Sequence, residues 1–453
     1  MGMSRRTMVQ GLGAGILGAG LLSACGTGGI RRGRGRRATT TAPTGDALAE
    51  PDTALTLGSI GASYGRSAPF ENAIALAVHE AWIDVNAEWK GLFGHDVGLV
   101  DRHVVTEAGA DLTEVIQGLA EAGVTACITS VDEEALVAAI PAFVAAGIAV
   151  IDVFSSGMSV RAPEVETSGM LARLCPNDKA LAAYYAEQSW AVSGDRAGAP
   201  GTVAYVSEDS AQGRSLLFEL TQVLGPTGGK VVLEHFHAAG DLGDVNALVA
   251  SVLETPPALL IVNGGPETGP FLSALHTATL DGGQRPTVEI AAQLSPAASV
   301  NYAEADLAAE CLSRAKGLEP GGEYSVRHVN MMLNVDPGLY DTGYAYSQQA
   351  YDGFVIAALA AQDALSVEGT AIAASIPRVL TGSGECNDYG ECRTVLRDAL
   401  AAGAKESISY AGRSGPLELG SDRDPRVGDF RHYAWNDANE LEFDGADGYE
   451  LEG

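Results

Sequence analysis

Apolar and polar positions alternate along this chain in a repeating order of strand, helix and strand. The first apolar run, Leu55 to Ile60, precedes residues 70–89, where apolar side chains recur at spacings of three and four and predict one buried helix face. Two further strands, separated by a second helix, predict a parallel sheet covered by helices. Ligands bind such sheets at the carboxyl ends of the strands, where Ser63, Tyr64 and Ser130 lie.

The same unit recurs in the second half of the chain. Between residues 179 and 293, four amphipathic segments alternate with four short apolar runs. This repetition predicts two similar lobes, with a small-molecule site in the cleft between them. Gln212, Asn263 and Gln293 follow or end strands of the second lobe and are candidates for its side of the cleft.

The N-terminus has the pattern of an export signal. Arg5 and Arg6 precede a Gly/Ala-rich apolar segment too short for a membrane span. The segment ends in Leu-Ser-Ala-Cys, which resembles a bacterial lipobox with Cys25 as the lipidated residue. Residues 1–25 are therefore predicted to be a signal peptide and 26–53 a flexible tether. The paired arginines are either a twin-arginine signal or the basic start of a general secretion signal.

Charge narrows the classes of partner. The 453 residues carry a formal net charge of −30, and seven arginines precede residue 46, so the remainder carries about −37. Such a surface repels nucleic acid and anionic lipid headgroups, which argues against DNA or RNA as a partner. No segment after residue 25 reaches the roughly 18 to 20 apolar residues of a spanning helix. We expect an extracytoplasmic protein anchored to the outer face of the bacterial cell membrane.

Cysteine spacing agrees with an oxidising compartment. Cys386 and Cys392 lie close together in a Gly/Asn/Asp-rich loop and predict a local disulfide. Zinc is the alternative, although it takes about four ligands and no histidine is near. Cys127 lies within an apolar strand, which predicts a buried free thiol. Cys175 and Cys311 are either paired or free.

Together these features resemble one protein family. The opening strand, the Gly/Ser loop, a long helix ending in Asp84-Val-Asn86-Ala and the later Tyr351-Asp352-Gly353 and Gly415-Pro416 are similar to the type I solute-binding proteins, the extracytoplasmic receptors of ABC importers, best known from binders of branched-chain amino acids. The resemblance covers roughly residues 55–440. It implies an α/β fold of two similar lobes, each a parallel sheet flanked by helices, joined by hinge crossovers.

The resemblance also implies lobe boundaries and partners. Lobe 1 is expected to comprise residues 54–172 and 298–378, and lobe 2 residues 173–297 and 379–453. The resemblance implies a monomer that passes a small solute to ABC permease subunits in the membrane. It implies no cofactor, no metal and no enzymatic activity. A sensor that reports the same ligand to a signalling partner is the alternative function.

Ligand-binding residues follow from the family pattern position by position. Ser155 and Ser156 match the hydroxyls that hold a ligand carboxylate. Gln212 stands where the family has an aromatic ring, and Gln293 where it has an acid for the ligand ammonium; an amide cannot pair a cation at full strength. The loss of both contacts favours a polar or differently charged solute, and we expect a small polar solute from the class of amino acids, amides and related compounds.

Several candidates have a structural alternative. Asp132 either lines the cleft or begins a helix, where the helix dipole favours an acid. Tyr64 and Phe154 either touch the ligand or form the core of the cleft wall. Gly61-Ala-Ser63-Tyr-Gly65 satisfies G-x-S-x-G, which makes a lipid-anchored hydrolase with Ser63 as its nucleophile a further alternative. His235-Phe-His237 places two imidazoles on one strand face, either solvated or metal-binding.

Overall fold

The structure is a computed structural model that describes residues 49–192, 197–281, 285–296, 298–300, 302 and 306–451. The predicted signal peptide with Cys25, and the tether up to residue 48, lie outside the described residues. The described helices are α1 (Glu71–Ile83), α2 (Thr113–Glu121), α3 (Glu133–Ala146), α4 (Asp178–Ala191), α5 (Ala211–Thr227), α6 (Val245–Glu254), α7 (Gly269–Thr279), α8 (Val326–Val335), α9 (Leu339–Thr342), α10 (Ser347–Ala364), α11 (Gly369–Leu380) and α12 (Tyr389–Ala401).

The first sheet is parallel and carries the opening third of the chain. Its strands are β1 (Thr56–Ala62), β2 (Gly98–Leu99), β3 (His103–Val105), β4 (Ala126–Ser130), β5 (Ala149–Asp152) and β6 (Leu171–Arg173). They are ordered β2-β1-β4-β5-β6, with β3 also paired to β1. Every residue of β4 and β5 is buried, as short continuous apolar runs of a helix-covered parallel sheet require.

The second sheet combines parallel and antiparallel strands. Its members are β7 (Ala199–Glu208), β8 (Lys230–His237), β9 (Pro257–Asn263), β12 (Ala291–Leu294), β13 (Ala315–Pro320), β16 (Glu418–Leu419), β17 (Pro425–Trp435) and β18 (Leu441–Glu450). The order is β16-β17-β13-β12-β9-β7-β8, and β17 pairs antiparallel with β13, β16 and β18. Two small pairs complete the described strands: β10 (Leu280–Asp281) with β11 (Arg285–Pro286), and β14 (Gly384–Cys386) with β15 (Ile408–Tyr410).

Helix α10 lies at the centre of the first lobe. Its residues from Ser347 to Gln362 are all buried, and residues 353–361 are glycine or apolar throughout, as expected for a helix enclosed on all sides. It packs between α1 and α11. The apolar face predicted for α1 meets it there, and Ile74, Val78 and Val85 are almost fully buried.

The crossover region is held by a buried ion cluster. Arg173, at the end of β6, and Arg161 both donate to the carboxylate of Asp424, which directly precedes β17. The Nη2 of Arg161 lies 2.7 Å from Asp424 Oδ1. Burial acts to raise the pKa of Asp424, but the two guanidinium groups hold it well below its usual range. The cluster therefore joins the first sheet to the strand that re-enters the second.

The lobe boundaries differ from those expected from the sequence in two places. Residues 315–320, expected in lobe 1, form β13 in the second sheet, where they pair with β12 and β17. Helix α12, expected in lobe 2, buries Cys392 and Leu396 in the core of the first lobe. In both cases the segment packs in the other lobe from the one that its place in the sequence suggested.

Cysteine pairing agrees with the sequence where the structure describes it. Cys386 and Cys392 form a disulfide with their Cα atoms 5.2 Å apart. Cys127 is a buried free thiol as predicted, and Cys175 and Cys311 are also free.

Over the described ranges, no single helix has both the length and the apolar character of a membrane span. One pair, α10 and α11, meets the criterion jointly but is bent by 103°.

Candidate functional site

A cavity of about 210 Å³ lies between the two sheets. Residues that follow β1 and β5 line it from the first lobe, and residues that end or follow β7, β8, β9 and β12 line it from the second. It therefore occupies the carboxyl ends of the parallel strands in both lobes, which is where such sheets bind ligands. An engineered cavity of about 150 Å³ is large enough to bind benzene, so a small solute fits this one.

The first-lobe wall is aromatic and carries one cation. Phe70, Phe154 and Tyr346 form a cluster with ring centroids 4.9 to 6.3 Å apart. Gly65 adopts φ +56°, a left-handed conformation that favours glycine, and the turn it makes places Arg66 at the cavity. The guanidinium carbon of Arg66 lies 5.7 Å from the centre of the Phe154 ring. This wall offers apolar area and one positive charge.

The second-lobe wall is acidic and rich in glycine. Glu208 ends β7, and Glu267 lies in the short 3-10 helix Pro266–Thr268 that follows β9. Both line the cavity beside Gly264 and Gly265. The backbone N–H of Gly265 donates to Glu267 Oε1 at 2.8 Å. Burial raises the pKa of Glu208, although the charge of Arg66 opposes the shift.

Solved structures of similar shape cover most of the chain. LivJ, a branched-chain amino acid transporter substrate-binding protein from Streptococcus pneumoniae solved with isoleucine, aligns with a TM-score of 0.61 at 14% identity, over 88% of this chain and 100% of its own. LivK, a leucine-binding protein from Thermotoga maritima, gives 0.62 at 14% identity, over 86% and 98%. A solute-binding protein from R. palustris, solved with benzoate, gives 0.59 at 15% identity, over 88% and 98%.

The protein has the type I solute-binding fold. This confirms the predicted architecture of two lobes with helix-flanked sheets joined by crossovers; the second sheet differs from the expected parallel one because β17 is antiparallel to its neighbours. Neither a protein-family model nor a curated protein sequence matches the chain. At 14 to 15% identity, the likeness to these solved structures establishes the fold alone.

Two of the predicted binding residues lie on the cavity wall of this type I fold. Phe154 and Ser156, both after β5, line the cavity. Phe154 is a member of the aromatic cluster, and Ser156 accepts the backbone N–H of Asp178 through its carbonyl at 2.8 Å. Contact of either side chain with a solute stays a prediction.

Gln212 and Asn263 lie behind the second-lobe wall in one hydrogen-bond network. Asn263 Nδ2 donates to Gln212 Oε1 at 2.9 Å, and Gln212 Nε2 donates to Asp178 Oδ1 at 3.1 Å. Arg66 Nη1 donates to the same Gln212 oxygen from the first lobe. These side chains therefore hold Arg66 at the cavity, and the lobes touch through them.

The remaining first-lobe candidates bind to neighbouring side chains. Tyr64 donates its hydroxyl to Asp132, and Asp132 also accepts the N–H of Ala135 at 2.8 Å as the cap of α3. Ser130 Oγ accepts from Arg102 Nη2 at 2.5 Å. None of these residues lines the cavity. The structural alternative for Asp132, a helix start, is thus observed.

Ser155 and Gln293 are also turned away from the cavity wall. Ser155 donates its hydroxyl to the buried Asp152. Burial raises the pKa of Asp152 to about 6, against the hydrogen bond from Ser155 and the charge of Arg173. Gln293 is 3% exposed, and its Oε1 has no hydrogen-bond partner among the described residues.

The rival chemistries have little support in this geometry. Ser63 is exposed, and its hydroxyl donates to the carbonyl of Val105 at 3.4 Å. No histidine is hydrogen-bonded to it among the described residues. His235 and His237 stack with ring centroids 6.4 Å apart. Within the described ranges, no group of three His, Cys, Asp or Glu side chains is placed to hold a metal.

Sequence reasoning missed the charged residues of the cavity. Arg66, Glu208 and Glu267 were all within the segments that follow predicted strands, but the family pattern drew attention to their neighbours instead. A simpler pattern was available: Glu208 is the last residue of its strand, and Arg66 and Glu267 are charged side chains four residues beyond the ends of theirs. Tyr346 gave no such signal, because it reaches the cavity from the start of α10, far along the chain.

Proposed function

We propose that the protein is the extracytoplasmic substrate-binding component of an ABC importer. A small solute would bind in the cavity between the lobes, hinge closure would enclose it, and a membrane permease would recognise the closed form. The observation that carries this proposal is the cavity itself, built from strand ends of both lobes and spanned by the hydrogen bond from Arg66 to Gln212. The proteins that share its fold include binders of isoleucine and of benzoate.

The proposal includes the address and the oligomeric state. Lipid on Cys25 would anchor a monomer outside the cell membrane, with residues 26–48 as its tether. The expected tether extended to residue 53, but Glu50 pairs with Arg397 of the first lobe at 3.1 Å. The polar groups around the aromatic wall support a solute that has at least one charged or polar group. Amino acids and amides belong to this class. Binding requires no covalent step.

Thermal unfolding of the purified protein tests solute binding directly. Amino acids, amides, amines, carboxylates, sugars and nucleosides would each be added in excess. A ligand at 100 times its Kd adds about 2.7 kcal/mol to the free energy of unfolding and shifts the midpoint upward. We expect one chemical class to do so.

A cavity-filling variant supplies the control. Gly265→Trp places an indole in the cavity, since a Cβ there meets only the flexible end of Glu267 at 2.7 Å, and it should abolish the shift. Val326→Trp adds the same side chain at a position that is 77% exposed and should leave the shift unchanged. In cells, deleting the chain should abolish uptake of the same solute. Intact binding with unchanged uptake would contradict the importer role.

A further inference from the structure

The charges that line the cavity do not balance. Among the lining residues, Arg66 is positive and Glu208 and Glu267 are negative. Arg66 already donates to Gln212 and lies over the Phe154 ring. The Glu208 carboxylate, in contrast, accepts no hydrogen bond from any described residue, and Glu267 accepts only the N–H of Gly265. With one positive and two negative side chains, the cavity lining therefore has a net charge of −1.

A third acceptor lies beside the two carboxylates. His237 is 5% exposed and ends β8. Its Nδ1 lies 2.9 Å from the carbonyl oxygen of Ala238, so Nδ1 carries the proton and Nε2 is an acceptor. That Nε2 is buried without a partner in the described part of the chain. A Cβ on Gly264, which lines the cavity, would come within 3.2 Å of it.

These acceptors share one neighbourhood. A Cβ on Gly264 would lie 3.1 Å from Glu267 Oε1 and 3.2 Å from His237 Nε2. Glu208, whose charge interacts with Arg66 and Glu267, lines the same cavity. A buried acceptor without a donor is costly, and two close carboxylates repel each other. A primary ammonium group relieves both conditions, because it carries three N–H donors and one positive charge.

The side chains of the first-lobe wall indicate the chemistry of the rest of the solute. Phe70, Phe154 and Tyr346 offer ring faces and edges to an apolar or aromatic body. The volume of about 210 Å³ limits that body to a small one. The net charge of −30 on the chain also concentrates cations around the protein.

We infer that the cavity takes a small primary amine of net charge +1 on an apolar or aromatic body, with its ammonium donating to Glu208, Glu267 and His237. The inference rests on the proposed solute-binding function of the same cavity and names its substrate class. It differs from the expectation drawn from Gln293, because the negative charge comes from other positions of the second lobe.

Three probes with one body and three charges test the inference. Phenethylamine, phenylalanine and 3-phenylpropanoate carry net charges of +1, 0 and −1 near pH 7. Isothermal titration calorimetry on the purified protein should give the tightest binding for phenethylamine, at least tenfold tighter than phenylalanine, with 3-phenylpropanoate weakest. Tightest binding of either other probe would overturn the inference.

Variants locate the ammonium. Glu208→Gln and Glu267→Gln should each weaken phenethylamine at least tenfold and narrow its advantage over 3-phenylpropanoate. Glu234→Gln, at an exposed position three residues before His237 on β8, removes the same charge from a side chain that does not line the cavity and should change affinity less than twofold. Equal affinities in all three variants would contradict the assignment.

Failure of the inference and failure of the proposed function give different results. If none of the three probes binds but another class shifts the thermal midpoint, the amine assignment is wrong and the receptor function stands. If neither the probes nor the wider panel bind, both are wrong.

Discussion

The two walls of the cavity are built from different chemistry. The first-lobe wall consists of aromatic rings continuous with a large apolar core, and Phe70, Phe154 and Tyr346 all belong to that core. The second-lobe wall consists of glycines and of Glu208 and Glu267 at strand ends. One wall is held by packing and supplies contact area. The other is held by hydrogen bonds and supplies negative charge. The first-lobe wall therefore contributes mainly to stability, and the second-lobe wall mainly to the selection of the solute.

The largest expected effect follows from truncating the aromatic wall. Phe154 is 2% exposed and packs against two rings. Phe154→Ala should therefore lower the free energy of unfolding by about 3 to 5 kcal/mol, measured by urea denaturation. Glu208→Gln on the other wall should change it by less than about 1 kcal/mol. Similar losses in both variants would show that the walls do not differ in their structural role.

A smaller effect concerns the buried carboxylates behind the walls. Burial raises the pKa of Asp178 from 3.8 to about 6, against its hydrogen bonds with Ser215 and Gln212. Between these pH values the folded chain keeps a proton that the unfolded chain has lost. The free energy of unfolding therefore falls as pH rises from about 4 to 6, by up to about 1.4 kcal/mol per pH unit from this group. Asp152 acts in the same direction.

Asp178→Asn removes this titrating group, so the free energy of unfolding should fall less between pH 4 and pH 7 than it does in the unsubstituted protein. Chemical denaturation at both pH values measures the difference. Asp101→Asn, at an exposed position, is the matched control and should run parallel to the unsubstituted protein. A parallel curve for Asp178→Asn itself would show that its carboxyl group ionises alike in the folded and unfolded chain.

The smallest expected effect concerns a hydrogen bond between the two lobes. Ser215 Oγ accepts the backbone N–H of Met158 at 2.9 Å, from α5 to the loop after β5. Ser215→Ala should disfavour the contact between lobes by about 1 kcal/mol and raise the radius of gyration measured by small-angle X-ray scattering without ligand. Ser251→Ala, whose hydroxyl bonds within its own helix at 3.0 Å, should leave it unchanged. An unchanged radius in both variants would contradict a role of this bond in closure.

The fold was more predictable than the site. Period and length of the apolar runs sufficed for β4, β9 and the buried face of α1, because burial in this fold follows local pattern. They did not suffice for β13 or α12, whose partners are strands and helices far away in the chain. The sequence shows the order of the helices and strands, but tertiary packing determines in which of the two lobes each one lies.

The site shows the same limit at the level of single side chains. Strand ends were predicted, and the cavity does lie there. The direction of each side chain was not, since Ser155 turns to Asp152 and Tyr64 to Asp132 through hydrogen bonds that no spacing reveals. Arg66 and Glu208, which were not predicted, line the cavity together with Phe154 and Ser156, which were.

The ion cluster around Asp424 has a mechanical consequence for the proposed closure. Two guanidinium groups grip one carboxylate at the point where the chain passes between the sheets. Charge-assisted hydrogen bonds of this kind hold their groups at a fixed distance, so in the proposed closure the lobes would rotate about this cluster. A small rotation there would move the outer rim of each lobe further than it moves the solute, and the permease would recognise that change of angle between the lobes.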